Sequence, residues 1–299
     1  MIRRLFIYLK AIRVVESTLM TGFPLIGFIV ALHHGAFHTF AEMVYTVILF
    51  CLSTFPLVIY VYTFNSWGGR NADSHNKRLD DHPVLTGEMS ERELRYLAYA
   101  GLITNLILYW VLFPRCFVLA PLIALNWTAY SHPRVMAKAR PIAGTTVHFI
   151  GGVLQVLLGY VVISGFDLKG LLFAVYFSMV FSAGHLNHEV KDYNADKEAG
   201  LRTNAIVFGP RFMLNIAFAL FTISFFYLLF LSLGNRLSLV ETWPFLAIYP
   251  GHLWLHIRMI GSLKDRVYDL KYQRDYRALF VAAGVILLAT KLLFMWNKG

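Results

Sequence analysis

Residues 170–209 read GLLFAVYFSMVFSAGHLNHEVKDYNADKEAGLRTNAIVFG. Positions 170–187 hold no Asp, Glu, Lys or Arg, and their length approaches the about 20 apolar residues that a helix needs to cross a bilayer. From Asn187 onward the chain turns abruptly polar, with acids and bases in nearly every turn. An uncharged run of spanning length that empties into a charged segment is the pattern of a membrane helix reaching water. Eight further runs of the same kind lie at 14–32, 42–64, 94–113, 116–132, 143–163, 212–234, 241–259 and 276–296.

The composition agrees. Of 299 residues, 58% are hydrophobic and 15% are charged, and the mean hydropathy is +0.57. Soluble domains stand at roughly 45–50% apolar and about 25% charged, which excludes a water-soluble globule as well as disorder. Cys51 and Cys116 lie in or beside apolar runs and read as buried thiols, not a bridge. The run near residue 14 lacks a small-residue cleavage site, so no cleavable signal is expected there. Strand-like alternation is missing, and backbone amides in lipid must bond internally. The expected fold class is therefore all-α: a polytopic membrane protein of nine transmembrane helices, one domain over 1–299, with polar caps in the loops after helices 2 and 6.

Of the 27 Lys and Arg residues, all but Arg115, Lys169, Arg236, Lys291 and Lys298 fall on the side of the N-terminus and the even-numbered loops. The positive-inside rule makes that side cytoplasmic, with a bacterial inner membrane expected for a prokaryote. Only Glu42, Asp167 and Glu241 among the 17 carboxylates fall on the other side. Acids gathered at one face, without an inverted repeat, argue against a transporter.

Two polar segments carry the chemistry. In the second, Asp192 and Asp196 are spaced i,i+4, so both carboxylates share one face of a continuing helix. Like charges held that close need a cation between them. Mg2+ suits, since it takes one or two carboxylates and completes its shell with water and substrate phosphate. Lys191, Lys197 and Arg202 flank the pair. In the first segment, 65–90, Asn65, Gly69 and Asp73 fall at i, i+4 and i+8. Asn65 and Asp73 offer oxygen ligands, and Gly69 opens space. The expected metal set is thus Asn65, Asp73, Asp192 and Asp196 around Mg2+. Arg70, Lys77, Arg134, Lys138, Lys197 and Arg202 are the diphosphate candidates, and Arg13 could join them. Asp265 and Asp269 repeat the D-x-x-x-D spacing among Lys264, Arg266 and Lys271, and read as a solvated, ion-paired face.

The stretches KDYNADKEAGLRTNAIVFG (191–209), HPVLTGEMS (82–90) and YSHPRVMAKARP (130–141) resemble motifs of the UbiA superfamily of intramembrane prenyltransferases. The resemblance implies nine helices, a Mg2+-bound prenyl diphosphate and a basic loop capping the site. The family's first motif is N-D-x-x-D-x-x-x-D, whereas this chain has Ser66 and Gly69 at the first two aspartates. The remaining N-x-x-x-G-x-x-x-D is similar to the pattern of UbiA-type diterpene cyclases of bacteria and fungi. That likeness implies cyclisation of a C20 substrate such as geranylgeranyl diphosphate, the alternative being prenyl transfer to an aromatic or other acceptor. The partners expected are a prenyl diphosphate and the lipid bilayer, with no nucleic acid.

A carbocation needs dry walls and aromatic faces. Near the motifs, Tyr60, Tyr62, Phe64, Trp67, Trp127, Tyr130, Phe149 and Phe181 are expected about the cavity with Gly69. His185, Asn187 and His188, just before the second motif, could steer or quench a cation.

Overall fold

The computed structural model describes residues 2–74, 82–262 and 270–296, and every regular element among them is helical. In chain order these are α1 (Ile2–Ala11), α2 (Val14–Ala31), α3 (Phe40–Asp73), α4 (Glu91–Leu112), α5 (Leu119–Ser131), α6 (Ala143–Ser164) and α7 (Leu168–Lys191). They continue with α8 (Tyr193–Glu198), α9 (Asn204–Phe208), α10 (Pro210–Leu233), α11 (Leu239–Ala247), α12 (Tyr249–Ser262) and α13 (Leu270–Trp296). Six of them, α3, α4, α6, α7, α10 and α13, are individually long and apolar enough to cross a membrane, and α1 with α2 forms a seventh as one bent pair. By this measure the expected count of nine is not reached. Residues 116–132 and 241–259 form shorter helices: α5 has 13 residues, α11 has 9 and α12 has 14. Proline is the reason. Pro114 opens a 3-10 turn before α5, and Pro244 and Pro250 each remove a backbone donor in or at the start of a helix.

The N-terminal segment, read from sequence only as a basic stretch, is a helix. Ile7 and Ala11 of α1 are buried against Met89 and Leu94, while Leu5, Phe6 and Leu9 are exposed. Arg4 and Lys10 pair with Glu93 and Glu88 at 3.2 and 3.0 Å. The stretch 82–90 ends as a helix cap. Ser90 Oγ accepts from Glu93 N at 3.1 Å and Glu93 Oε2 accepts from Ser90 N at 2.8 Å, which fixes the start of α4.

Small residues let the helices approach. A Cβ on Gly27 of α2 would overlap the Val156 carbonyl of α6, and one on Gly159 would overlap the Pro24 carbonyl of α2. Between α3 and α4, Asn105 Nδ2 donates to the Ser53 carbonyl at 2.6 Å, and the Tyr109 and Thr54 hydroxyls lie 2.7 Å apart. At the end of the bundle where α2 finishes and α7 begins, Lys291 of α13 donates to the Val30 and Leu32 carbonyls and to Glu241 Oε1. Lys169 donates to the same Glu241 oxygen at 2.7 Å. All three N–H bonds of the Lys291 ammonium are used, joining α2, α7, α11 and α13 around one buried carboxylate.

Candidate active site

The polar site forms at the other end of α7. The expected continuing helix is broken: Asp192 stands between α7 and α8 with φ −91° and ψ 7°. The i,i+4 relation survives the break, because Asp196 N donates to the Asp192 carbonyl at 2.9 Å. Glu189, three residues earlier, is buried near the same acids. The turn closes where Leu201 N reaches back to the Asp196 carbonyl at 2.9 Å, which requires the positive φ of Gly200.

Loop 132–142 brings a lysine to these acids. Met136 and Ile142 both adopt positive φ, 44° and 67°, and the short 3-10 turn Ala137–Ala139 lies between them. A β-branched residue at positive φ is strained, and Asn204 holds it. Asn204 Oδ1 accepts from Ile142 N at 2.7 Å, and its Nδ2 donates to Thr145 Oγ1 and Glu189 Oε1, both at 3.1 Å. So fixed, Lys138 Nζ donates to Asn65 Oδ1 at 2.8 Å, and Ser131 Oγ donates to the same oxygen at 2.9 Å. Lys138 also acts electrostatically on Asp196. One ammonium thus bonds the first motif and lies within electrostatic reach of the second. Gly68 permits the crossing beneath it, since a Cβ there would overlap the Ser131 carbonyl.

Burial, then the charges of Asp192 and Glu189, push the Asp196 carboxyl up to about 7, against the pull of Lys138. His188 Nε2 and Lys191 Nζ stand 3.2 and 3.5 Å from the two oxygens of Asp192. A half-buried carboxylate pair with one member reluctant to ionise fits a hard divalent cation, which would relieve the repulsion. Among the described residues no three His, Cys, Asp or Glu side chains gather into a metal cage. Two carboxylates with an amide oxygen nearby are the donor set present, the kind that leaves coordination positions for substrate phosphate.

The other charged candidates divide. Arg70 pairs with Glu91 at the start of α4, so it is committed to that helix and not turned to the acids. Arg13 sits between α1 and α2 at φ 49°, 3.5 Å from Glu16, with its guanidinium 5.6 Å from the Tyr62 ring centroid. Arg134, Lys197 and Arg202 are exposed. The backbone of α3 reaches Asp73, but its side chain, all of Lys77, and the Asp265 and Asp269 pair lie outside the described residues.

The aromatic expectations divide as well. Trp127, Tyr130 and Phe181 enclose His148, with ring centroids 5.0, 4.9 and 5.0 Å from the imidazole. Tyr60 is buried, 2.5 Å from Thr128 Oγ1 through its hydroxyl, and leads through Phe64 to Trp67. Gly69 is buried on α3. From Trp127 an apolar slot of about 10 Å³ continues inward between α2, α3, α5 and α6, with Met20, Leu57, Ile123 and Gln155 on its walls. Phe149 does not join them. It lines a separate groove of about 250 Å³ with Met179 and Leu220, because it projects from the opposite side of α6. Asn187 is fully buried beside Tyr272 and Tyr276 of α13, inside a helix contact and not in an open cavity. His188 is held by Asp192 and by Gln273 at 3.3 Å.

Sequence reasoning missed Glu189, Asn204 and His148. Glu189 could have been found, since it precedes Asp192 and Asp196 at i−3 and i−7 on one helical face. A lone histidine in the apolar α6 carries no such signal.

The profile of the UbiA prenyltransferase family matches residues 21–274. A 4-hydroxybenzoate octaprenyltransferase of Chromohalobacter salexigens is 23% identical over 266 residues, covering 84% of this chain and 81% of the relative. A UbiA homolog from Archaeoglobus fulgidus, solved bound to GPP and Mg2+, superposes with a TM-score of 0.75 at 19% identity, covering 97% of this chain and 99% of the other. The apo structure of a UbiA homolog from Aeropyrum pernix K1 gives 0.70 at 18% identity, over 94% and 98%.

Proposed function

The chain belongs to the UbiA prenyltransferase family, and from that premise we propose that it ionises a prenyl diphosphate at the Asn65–Lys138–Asp196 junction and transfers the prenyl group to an acceptor. The observation that carries this reading is the Lys138 bridge, which links the two motifs through one cation. Asp192 and Asp196 would hold Mg2+, with Asp73 expected from the sequence as a further ligand and Asn65 joining if its oxygen exchanges Ser131 or Lys138 for the metal, and the metal when bound neutralises charge on the departing diphosphate. Lys138 adds a fixed positive charge at the same point. Trp127, Tyr130 and Phe181 offer aromatic surface for the developing cation, and the tightly packed apolar residues beyond Trp127 keep water out. The basic loops orient this end of the bundle to the cytoplasm. The likeness to a 4-hydroxybenzoate octaprenyltransferase supports an aromatic acceptor.

A second reading has a specific observation behind it. Ser66 and Gly69 stand where the family pattern has aspartates, and both are buried. With those acids gone, the same ionisation can end in attack by the substrate's own double bonds, giving a cyclic diterpene from a C20 substrate. One experiment tests both. Purified protein is incubated with Mg2+ and prenyl diphosphates of several lengths, with and without 4-hydroxybenzoate, and organic extracts are analysed. Prenylated acceptor, absent when acceptor is withheld, is the expected product. A cyclic hydrocarbon formed without acceptor establishes the second reading, and failure of Asp192→Ala to abolish turnover refutes both.

A further inference from the structure

Either outcome leaves a cation that must lose a proton, and this inference rests on the reaction proposed above. We propose that His148 is the base that takes it. His148 Nδ1 lies 2.9 Å from the Gly144 carbonyl. A carbonyl only accepts, so Nδ1 carries the hydrogen and Nε2 is left with its lone pair. The ring is half-buried and stands inside the aromatic enclosure of Trp127, Tyr130 and Phe181. Trp127 also lines the apolar slot, and Tyr130 is within electrostatic reach of Asp192 and Asp196. His148 is therefore placed between the diphosphate end and the hydrocarbon end of the site.

A second imidazole supports it. His185 stacks on His148 with centroids 3.7 Å apart and planes 11° from parallel. His185 Nε2 is 3.1 Å from Glu189 Oε1, and Glu189 is fixed by Asn204 Nδ2 and by Ala205 N at 3.1 and 3.3 Å. The carboxylate fixes the His185 ring, and through the stack it fixes the plane in which the His148 ring lies. His185 and Glu189 are positioning residues in this scheme. Only His148 meets the substrate.

The step balances. The C1–O bond breaks and diphosphate leaves with its electron pair. C1 then bonds to a π carbon of the acceptor, or of the substrate's own chain. The new cation gives up a proton from the carbon attacked or from its neighbour. Nε2 receives that proton, and the C–H pair restores the π bond. The imidazolium returns the proton to solvent before the next turnover, with no change of oxidation state.

The test measures released diphosphate and extracted product in the same reactions, for wild type and for His148→Phe, which keeps the ring stack without a lone pair. His148→Gln supplies the same readings if phenylalanine is not accommodated. We expect diphosphate release within about threefold of wild type, while the deprotonated product falls about 100-fold or more, the range for a lost general base. An alcohol of the coupled or cyclised skeleton, from addition of water to the cation that keeps its proton, should replace it. An unchanged ratio of product to diphosphate overturns the proposal, and so does a parallel fall of both. Diphosphate release by wild type separately measures the underlying reaction, so the two failures are distinguishable.

Discussion

At the proposed metal site, Asp196 should make Mg2+ affinity a function of pH. Its carboxyl is raised to about 7 by burial and by Asp192 and Glu189, so a divalent cation must displace a proton whenever the pH lies below that value. The fraction of ionised carboxylate is about a tenth at pH 6, a half at pH 7 and nine-tenths at pH 8, which predicts an about tenfold gain in apparent Mg2+ affinity across that span. Calorimetric titration of the metal-free protein in detergent at the three pH values reads it directly. Repeating the pH 6 titration in two buffers of different ionisation enthalpy should show about one proton released per ion bound. Asp196→Asn should bind weakly and lose most of the pH dependence. The stability of the metal-free protein should move the opposite way. The folded carboxyl keeps its proton up to about 7, whereas an unfolded aspartate gives it up near 3.8, so the folded state binds more protons between them. Its stabilising contribution is full below the lower value and is lost as pH rises through the upper one. Thermal midpoints should therefore drop between pH 5 and 8 relative to Asp196→Asn, and Mg2+ should restore them at pH 8. A Mg2+ dissociation constant that stays flat from pH 6 to 8 in wild type refutes the reasoning.

Lys138→Met removes the cation shared by Asn65 and Asp196, and kcat/KM should fall about 100- to 1,000-fold, as for other single electrostatic contacts at a reacting centre; steady-state assays in detergent check it. Lys291→Met deletes three donated bonds and leaves Glu241 with Lys169 as its one cationic partner among the described residues, which should cost about 3–5 kcal/mol. A midpoint within 1 °C of wild type would remove that cluster from the account, whereas partial recovery in the Glu241→Gln double variant supports it. Gly68→Ala drives a methyl into the Ser131 carbonyl, so a loss of about 1–3 kcal/mol should outweigh the about 1 kcal/mol gained in helix propensity, and a thermal melt shows which prevails.

The parts legible in the sequence were those that depend on local spacing. Uncharged runs located the long helices, and the i,i+4 spacing located a carboxylate pair that stays together even though the helix breaks at Asp192. Lys138 was legible because a basic loop beside an acidic motif has few other destinations. What failed depends on neighbours distant in the chain. Arg70 was read as a phosphate contact, but Glu91 at the first turn of α4 takes it, and spacing along α3 carries no information about α4. Phe149 lies one residue from His148, and that single step of a helix, about 100°, turns it to a different groove. Of the nine expected spans, six single helices and one bent pair among the described residues are long and apolar enough to cross. Hydropathy registers 116–132 and 241–259 as apolar but does not register where proline shortens the helices within them. Asn204 became visible only when the strained backbone of Ile142 showed what it holds in place.

The Lys291 cluster also orders the assembly of the bundle during synthesis. Lys291 lies 261 residues after Val30, whose carbonyl it caps, so α2 is made and threaded long before its fastening exists. Through that interval Glu241 has Lys169 and the Ser238 amide as partners, and the contact between α2 and α13 is not yet made. A nascent chain halted before residue 291 carries every residue of both motifs yet lacks the helix that fastens α2, so the candidate site is complete in sequence before its surrounding wall is.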